Sequence, residues 1–143
     1  MLQLLELLPD EVKIISQFAD VLPASAKSDT YPFSGFVINF NVCTKIHRDW
    51  KDLCLCVVLV ISDHCHGGDL CLEEAGLRFS LNSGDAIVFP SNKLSHFNMH
   101  FRGRRVSIVF HTDAAGMTWV NHRNYWDHSL FMVKKVTSKY DEL

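Results

Sequence analysis

The spacing of hydrophobic and polar positions changes period once along the chain. Over 10–22, Ile14, Phe18 and Val21 recur at intervals of four and three, which predicts a helix with one apolar stripe. Pro9 suits its entrance and Pro23 its end. Leu2, Leu5 and Leu8 predict a short preceding turn, and the polar stretch 24–30 a linker. From Phe33 onward the apolar residues alternate or gather in short blocks, which predicts strands over 36–41, 44–47, 53–62, 69–73, 77–81, 86–89, 96–101 and 105–112. Gly67-Gly68-Asp69, Ala75-Gly76, Asn82-Ser83-Gly84-Asp85 and Arg102-Gly103 punctuate them as turns. Short strands at such regular spacing predict a mainly β sandwich or jelly roll rather than alternating strands and helices. In 114–143 the periodicity weakens, and Trp119, Tyr125, Trp126 and Phe131 supply apolar surface with which to dock. The expected organisation is one domain over 1–143: a helical segment at 1–30, a β core at 33–113 and a C-terminal extension at 114–143.

Composition narrows the class. With 48% hydrophobic and 21% charged residues in 143, the chain has enough apolar material for a core, which argues against disorder. The longest apolar run, 53–61, is about half of the ~20 residues a bilayer span needs. The first residues lack the cationic start and cleavage site of a secretory signal. The five cysteines are odd in number and form no CxxC pair, so reduced thiols and an intracellular location are expected. Cys54 and Cys56 alternate within an apolar strand and are expected to pack in the core. A net charge of −2 excludes a surface that grips nucleic acid all over. It leaves room for a local patch from Arg102, Arg104, Arg105, Arg123, Lys134 and Lys135.

Candidate chemistry begins at His47-Arg48-Asp49. Residues i and i+2 of an extended chain share a face, so the imidazole of His47 and the carboxylate of Asp49 converge. Alone, the pair reads equally well as a hydrogen bond at a strand end. His96, opening a later strand, completes two histidines and one carboxylate, the facial set of non-haem Fe(II) oxygenases. If Arg102-Gly103 makes a two-residue hairpin, His96 pairs with Val109 and His100 with Arg105. Arg105 and Ser107 then face the interior with His96, while Arg104 faces away. Arg105 would lie roughly 13 Å along the ladder from the metal ligand, a gap that a metal-bound five-carbon diacid and an extended arginine can fill. The alternative for Arg105 is a solvent-facing arginine.

In order and spacing, His47-x-Asp49, His96 and Arg105-x-Ser107 resemble the 2-oxoglutarate dioxygenases. His47-Arg48-Asp49-Trp50-Lys51-Asp52 looks like the HRDxxD segment of the TET/J-binding-protein branch, particularly its short fungal members. Gly67-Gly68-Asp69-Leu70, Ser83-Gly84-Asp85-Ala86-Ile87-Val88-Phe89 and Trp119-Val120-Asn121 look like that branch too, so the likeness covers most of the chain. The resemblance implies a double-stranded β-helix with Fe(II) on His47, Asp49 and His96, and 2-oxoglutarate on Arg105 and Ser107. O2 would be the second cosubstrate. Asn39 and Asn41 would add polar contacts to 2-oxoglutarate, or else satisfy backbone groups at a strand end. The branch oxidises the 5-methyl group of pyrimidines in nucleic acid after extracting the base, which implies a weakly held nucleic-acid substrate and, for DNA, a nuclear location. The branch's cysteine-rich DNA-binding extension has no counterpart in the chain.

Other readings compete. One is hydroxylation of a protein or metabolite, and a pocket lined by Arg48, Trp50 and His111 would be neutral among these substrates. A second is a cupin-like metal site or a non-catalytic binding module, with His64-Cys65-His66 as a polar loop or a zinc site. A third is a nucleic-acid reader with Trp119, Tyr125 and Trp126 stacking beside Arg123.

Overall fold

The computed structural model describes residues 2–20 and 29–122. Val21, Arg123, Tyr125, Trp126, Phe131, Lys134 and Lys135 lie outside them. Two helices come first, α1 (Leu2–Leu7) and α2 (Pro9–Asp20). Seven strands follow: β1 (Gly35–Phe40), β2 (Cys56–Gly67), β3 (Leu70–Leu72), β4 (Leu77–Phe79), β5 (Ala86–Phe89), β6 (His96–Asn98) and β7 (Phe101–His111). A further helix, α3 (Ala115–His122), packs near α2. The strands form two antiparallel sheets, ordered β1-β7-β2-β5 and β4-β3-β6. This is the double-stranded β-helix, a mainly β jelly roll.

The first five residues of β2 read as a continuous apolar run because both faces are covered there. Cys56, Val58 and Val60 point between the sheets and pack with Leu70, Leu72 and Phe89. Val57 points the other way, onto Ile15, Phe33 and Leu55 under the helices. Burying each such side chain contributes about 1.5–3 kcal/mol, so β2 anchors both layers. Thr112, fully buried, fastens the helical layer to the end of β7: its hydroxyl accepts from Ser34 N–H at 3.2 Å and donates to the Ile15 carbonyl at 3.4 Å.

Of the stripe that the spacing predicts, Phe18 is half-buried and Ile14 faces out, while α2 turns a neighbouring stripe inward. Val12, Ile15, Ser16 and Ala19 are buried, whereas Ile14 is exposed. Positions 12, 15 and 19 also recur at helical spacing, and Ile15 wins because Phe33, Leu55 and Val57 close over it.

The hairpin expected at Arg102-Gly103 does not form. Both residues lie inside β7, and β6 belongs to the other sheet, where Leu72 stands opposite His96. Arg105 pairs with Ser62 and Ser107 with Val60. The chain changes sheets at Met99 and His100 instead, and Gly103 lets β7 continue past a bulge in β2 between Asp63 and His66. Gly103 has φ +104°, and a Cβ there would collide with the His64 carbonyl and lie 2.8 Å from the Cys65 Cα. Gly103→Ala is therefore expected to cost about 3 kcal/mol or more, read as an earlier urea midpoint. An unchanged midpoint would mean that the bulge yields freely.

The segment 44–47 is likewise no strand, apart from one bridge between His47 and His96. It is a connector pinned by Asn98, whose Oδ1 accepts from both the N–H and the hydroxyl of Thr44 at 2.7 Å.

A candidate metal centre and its cavity

The His47–His96 bridge brings two distant segments into register. His47 N–H donates to His96 O at 3.0 Å, and His96 N–H donates to His47 O at 2.9 Å. The two rings lie 4.3 Å apart between centroids. Each turns Nδ1 toward the carbonyl two residues earlier: His47 to Lys45 O at 2.7 Å, His96 to Leu94 O at 3.0 Å. With Nδ1–H donating there, both Nε2 lone pairs are left for a third partner. That partner is Asp49, 3.8 Å from His47 Nε2 and 3.4 Å from His96 Nε2. The three ligand atoms lie within 4.8 Å of one another, and among the described residues no other His, Cys, Asp or Glu side chains group in this way.

The donor set fits a divalent transition metal. Two imidazole nitrogens, each oriented by a backbone carbonyl, and one carboxylate suit Fe(II) and leave further coordination positions free. The electrostatics point the same way. Hydrogen bonding to His96 holds Asp49 below its usual range despite partial burial. Burial pulls His96 down, but its bonds to Asp49 and the Leu94 carbonyl raise it overall.

The triad opens on a cavity of about 290 Å³ between the sheets. Val58 and Leu70 form apolar walls, and Asn39, Arg105, Ser107 and His111 reach in from β1 and β7. Arg105 and Ser107 are buried at 6% and 7% exposure, as alternate positions of β7 require once one face points inward. Burial presses the Arg105 pKa downward. Among the described residues no carboxylate pairs with it; its guanidinium lies 5.9 Å from the centre of the Phe101 ring. Gly68 makes room for the stem, since a Cβ there would meet Arg105 Cδ at 3.2 Å.

The remaining expected residues divide. Asn39 lines the cavity opposite Ser107. Asn41 does not. Exposed at the end of β1 with φ 51°, it exchanges hydrogen bonds with the Arg105 backbone: its N–H to Arg105 O and its Oδ1 from Arg105 N–H, both 2.8 Å. Arg48 and Trp50 turn away from the cavity, and Trp50 is 72% exposed with Arg48 against its ring. His64 is also exposed and pairs with Asp63, so His64-Cys65-His66 forms no metal cluster.

Asp52 was visible only as the last letter of a motif. It lines the cavity, accepts from Ser91 Oγ at 2.6 Å, and lies 3.4 Å from His111 Nδ1, out of line for a hydrogen bond. Burial raises its pKa against the opposing Ser91 bond. The signal that could have found it is the turn Asp49–Asp52, closed by Asp52 N–H on Asp49 O at 2.8 Å.

No family model and no curated protein matches the chain. Among solved structures it is similar to NgTET1 in complex with 5mC DNA, with TM-score 0.68 and 16% identity over 81% of this chain and 47% of that one. It also overlaps a 2OG-Fe(II) oxygenase family oxidoreductase from Burkholderia pseudomallei, with TM-score 0.46 and 21% identity over 66% and 48%. The chain spans about half the length of either. The first likeness shows a shared fold. No helix of the described residues is long and apolar enough to cross a membrane.

Proposed function

We propose that this protein is an Fe(II)- and 2-oxoglutarate-dependent dioxygenase that oxidises a 5-methylpyrimidine in nucleic acid. The observation that carries the reading is the Arg105 guanidinium, buried with no anionic partner among the described residues, in the same cavity as two histidines and an aspartate. An unpaired buried cation is costly, and a site that keeps one is built to receive an anion. A diacid that ligates the metal at one end and meets Arg105 at the other satisfies both features.

His47, Asp49 and His96 hold the iron, and bound iron with 2-oxoglutarate and O2 supplies the oxidising power for a substrate C–H bond. Arg105 clamps the far carboxylate through two N–H groups, and Ser107 adds a hydroxyl donor on the same face. Asn39 reaches the same chamber from β1. Val58, Leu70 and Val109 line that chamber with hydrocarbon, and a lower local dielectric strengthens the clamp. Asp52 and His111 remain to meet the substrate, one an acceptor and the other a donor or acceptor.

Nucleic acid as the substrate is supported by the shared fold with NgTET1, whose structure holds 5mC DNA. With a net charge of −2, this chain grips DNA only locally, and a nuclear location follows for a nucleated host.

Fe(II) and 2-oxoglutarate added to metal-free protein without oxygen should give a saturable visible charge-transfer band. With oxygen and a 5-methylcytosine oligonucleotide, succinate and an oxidised base should form together. A band with succinate but no oxidised base would keep the dioxygenase and move the substrate to a protein or metabolite; no band would overturn the enzyme.

A further inference from the structure

The side of the His47–Asp49 segment turned away from the cavity carries a second constellation. Arg48 stands between the ligands His47 and Asp49, and Ser95 directly precedes His96. Glu74, in the turn between β3 and β4, binds both. Its Oε1 accepts from the Arg48 guanidinium and from Ser95 Oγ, the latter at 2.7 Å. Its Oε2 accepts from Ser95 N–H at 2.6 Å. Arg48 Nε closes the ring on Ser95 Oγ at 3.0 Å. The turn is placed by the β3–β6 ladder, which sets Leu72 opposite His96 and runs on through Glu73 N–H to Ser95 O at 2.9 Å.

We infer that Glu74 is a positioning residue for the metal centre, acting through Arg48 and Ser95 to lock the two ligand-bearing segments together. The inference rests on His47, Asp49 and His96 being metal ligands. Those segments are also joined by the His47–His96 bridge, by Asp49 N–H on Ser91 O at 3.1 Å and by the Thr44–Asn98 bonds. A four-contact clamp behind the ligands adds side-chain restraint to these backbone ties, as outer hydrogen bonds do at metal sites. The Ser95 bond first, then Arg48, holds the Glu74 carboxyl down at about 2, so the clamp is ionised at neutral pH.

The test is a Co(II) titration of metal-free protein, followed by its visible absorption. Glu74→Ala should weaken binding about 10–100-fold, and Glu74→Gln less, since the amide oxygen keeps an acceptor for Ser95. A purely structural role would instead shift the metal-free urea midpoint and leave Co(II) affinity unchanged. Wild-type affinity in Glu74→Ala, with binding lost in His96→Ala, would overturn the role of Glu74 alone. Absence of a His96-dependent band in the wild type would overturn the metal centre together with the inference.

Discussion

Asp49→Ala is expected to remove metal binding and turnover together. Both histidines aim Nε2 at Asp49, and its carboxylate is the sole anionic donor of the cluster. Without it, two imidazoles face a divalent ion with no charge neutralisation, and retention falls with the ligand count. If the metal supplies at least several kcal/mol of the rate enhancement, its loss lowers turnover by about 10³-fold or more. The fold should survive, because Asp49 is half exposed and its backbone is tied independently, through its N–H on Ser91 O at 3.1 Å and its carbonyl on Asp52 N–H at 2.8 Å. The measurement is metal content after equilibration with Fe(II) or Co(II), alongside succinate release. An Asp49→Ala protein that retains stoichiometric metal and turns over would remove Asp49 from the centre.

Arg105→Met should separate function from stability in opposite directions. Methionine keeps the apolar stem beside Gly68 and Phe101 but deletes a buried charge that lacks a carboxylate partner among the described residues. In the absence of 2-oxoglutarate the variant should be as stable as the parent or more so, by about 1 kcal/mol or more, because replacing buried uncompensated charge with packed hydrocarbon is favourable. Affinity for 2-oxoglutarate should fall by roughly 30-fold to 10³-fold, the range for deleting one side of a desolvated charge pair. Metal binding should be untouched. Arg104→Met is the control, since Arg104 is exposed and paired with Asp63. Equal 2-oxoglutarate affinity in Arg105→Met and the parent would assign the anion to another group.

Local pattern and long-range register differ sharply in how far the sequence reveals them. Strand β5 and most of β2 were legible because alternation and unbroken apolar runs report burial directly. The convergence of His47 and Asp49 was legible for the same reason: it depends only on the two-residue repeat of an extended segment. Arg105 and Ser107 reach the cavity by the parity expected of them, but not through the hairpin supposed to set it. Whether Arg102-Gly103 turns or runs straight depends on a bulge in β2, 36 or more positions earlier in the chain, and no local propensity encodes that partner. Glu74 was invisible for a related reason. A glutamate beside Gly76 reads as an ordinary turn residue until β3 pairs with β6 and carries it behind His96. Ile14 faces out of α2 because two stripes of similar hydrophobicity compete, and the covering residues Phe33 and Leu55 lie beyond the helix.

The position of β1 has a consequence for how the chamber breathes. Among the described residues it is an edge strand, paired with β7 alone, with Phe36 and Phe40 of its outer face 52% and 69% exposed. Yet Val37 and Asn39 from this strand form part of the cavity wall. One side of the chamber is thus a hinged panel, while the opposite side is built from the interior strand β2. Local opening that frees β1 costs less than global unfolding, so its amides should exchange with solvent sooner than those of β7 and slow when the chamber is filled. Where ligand entry runs past this panel, a protein whose melting temperature is unchanged can still differ in how tightly its chamber is shut.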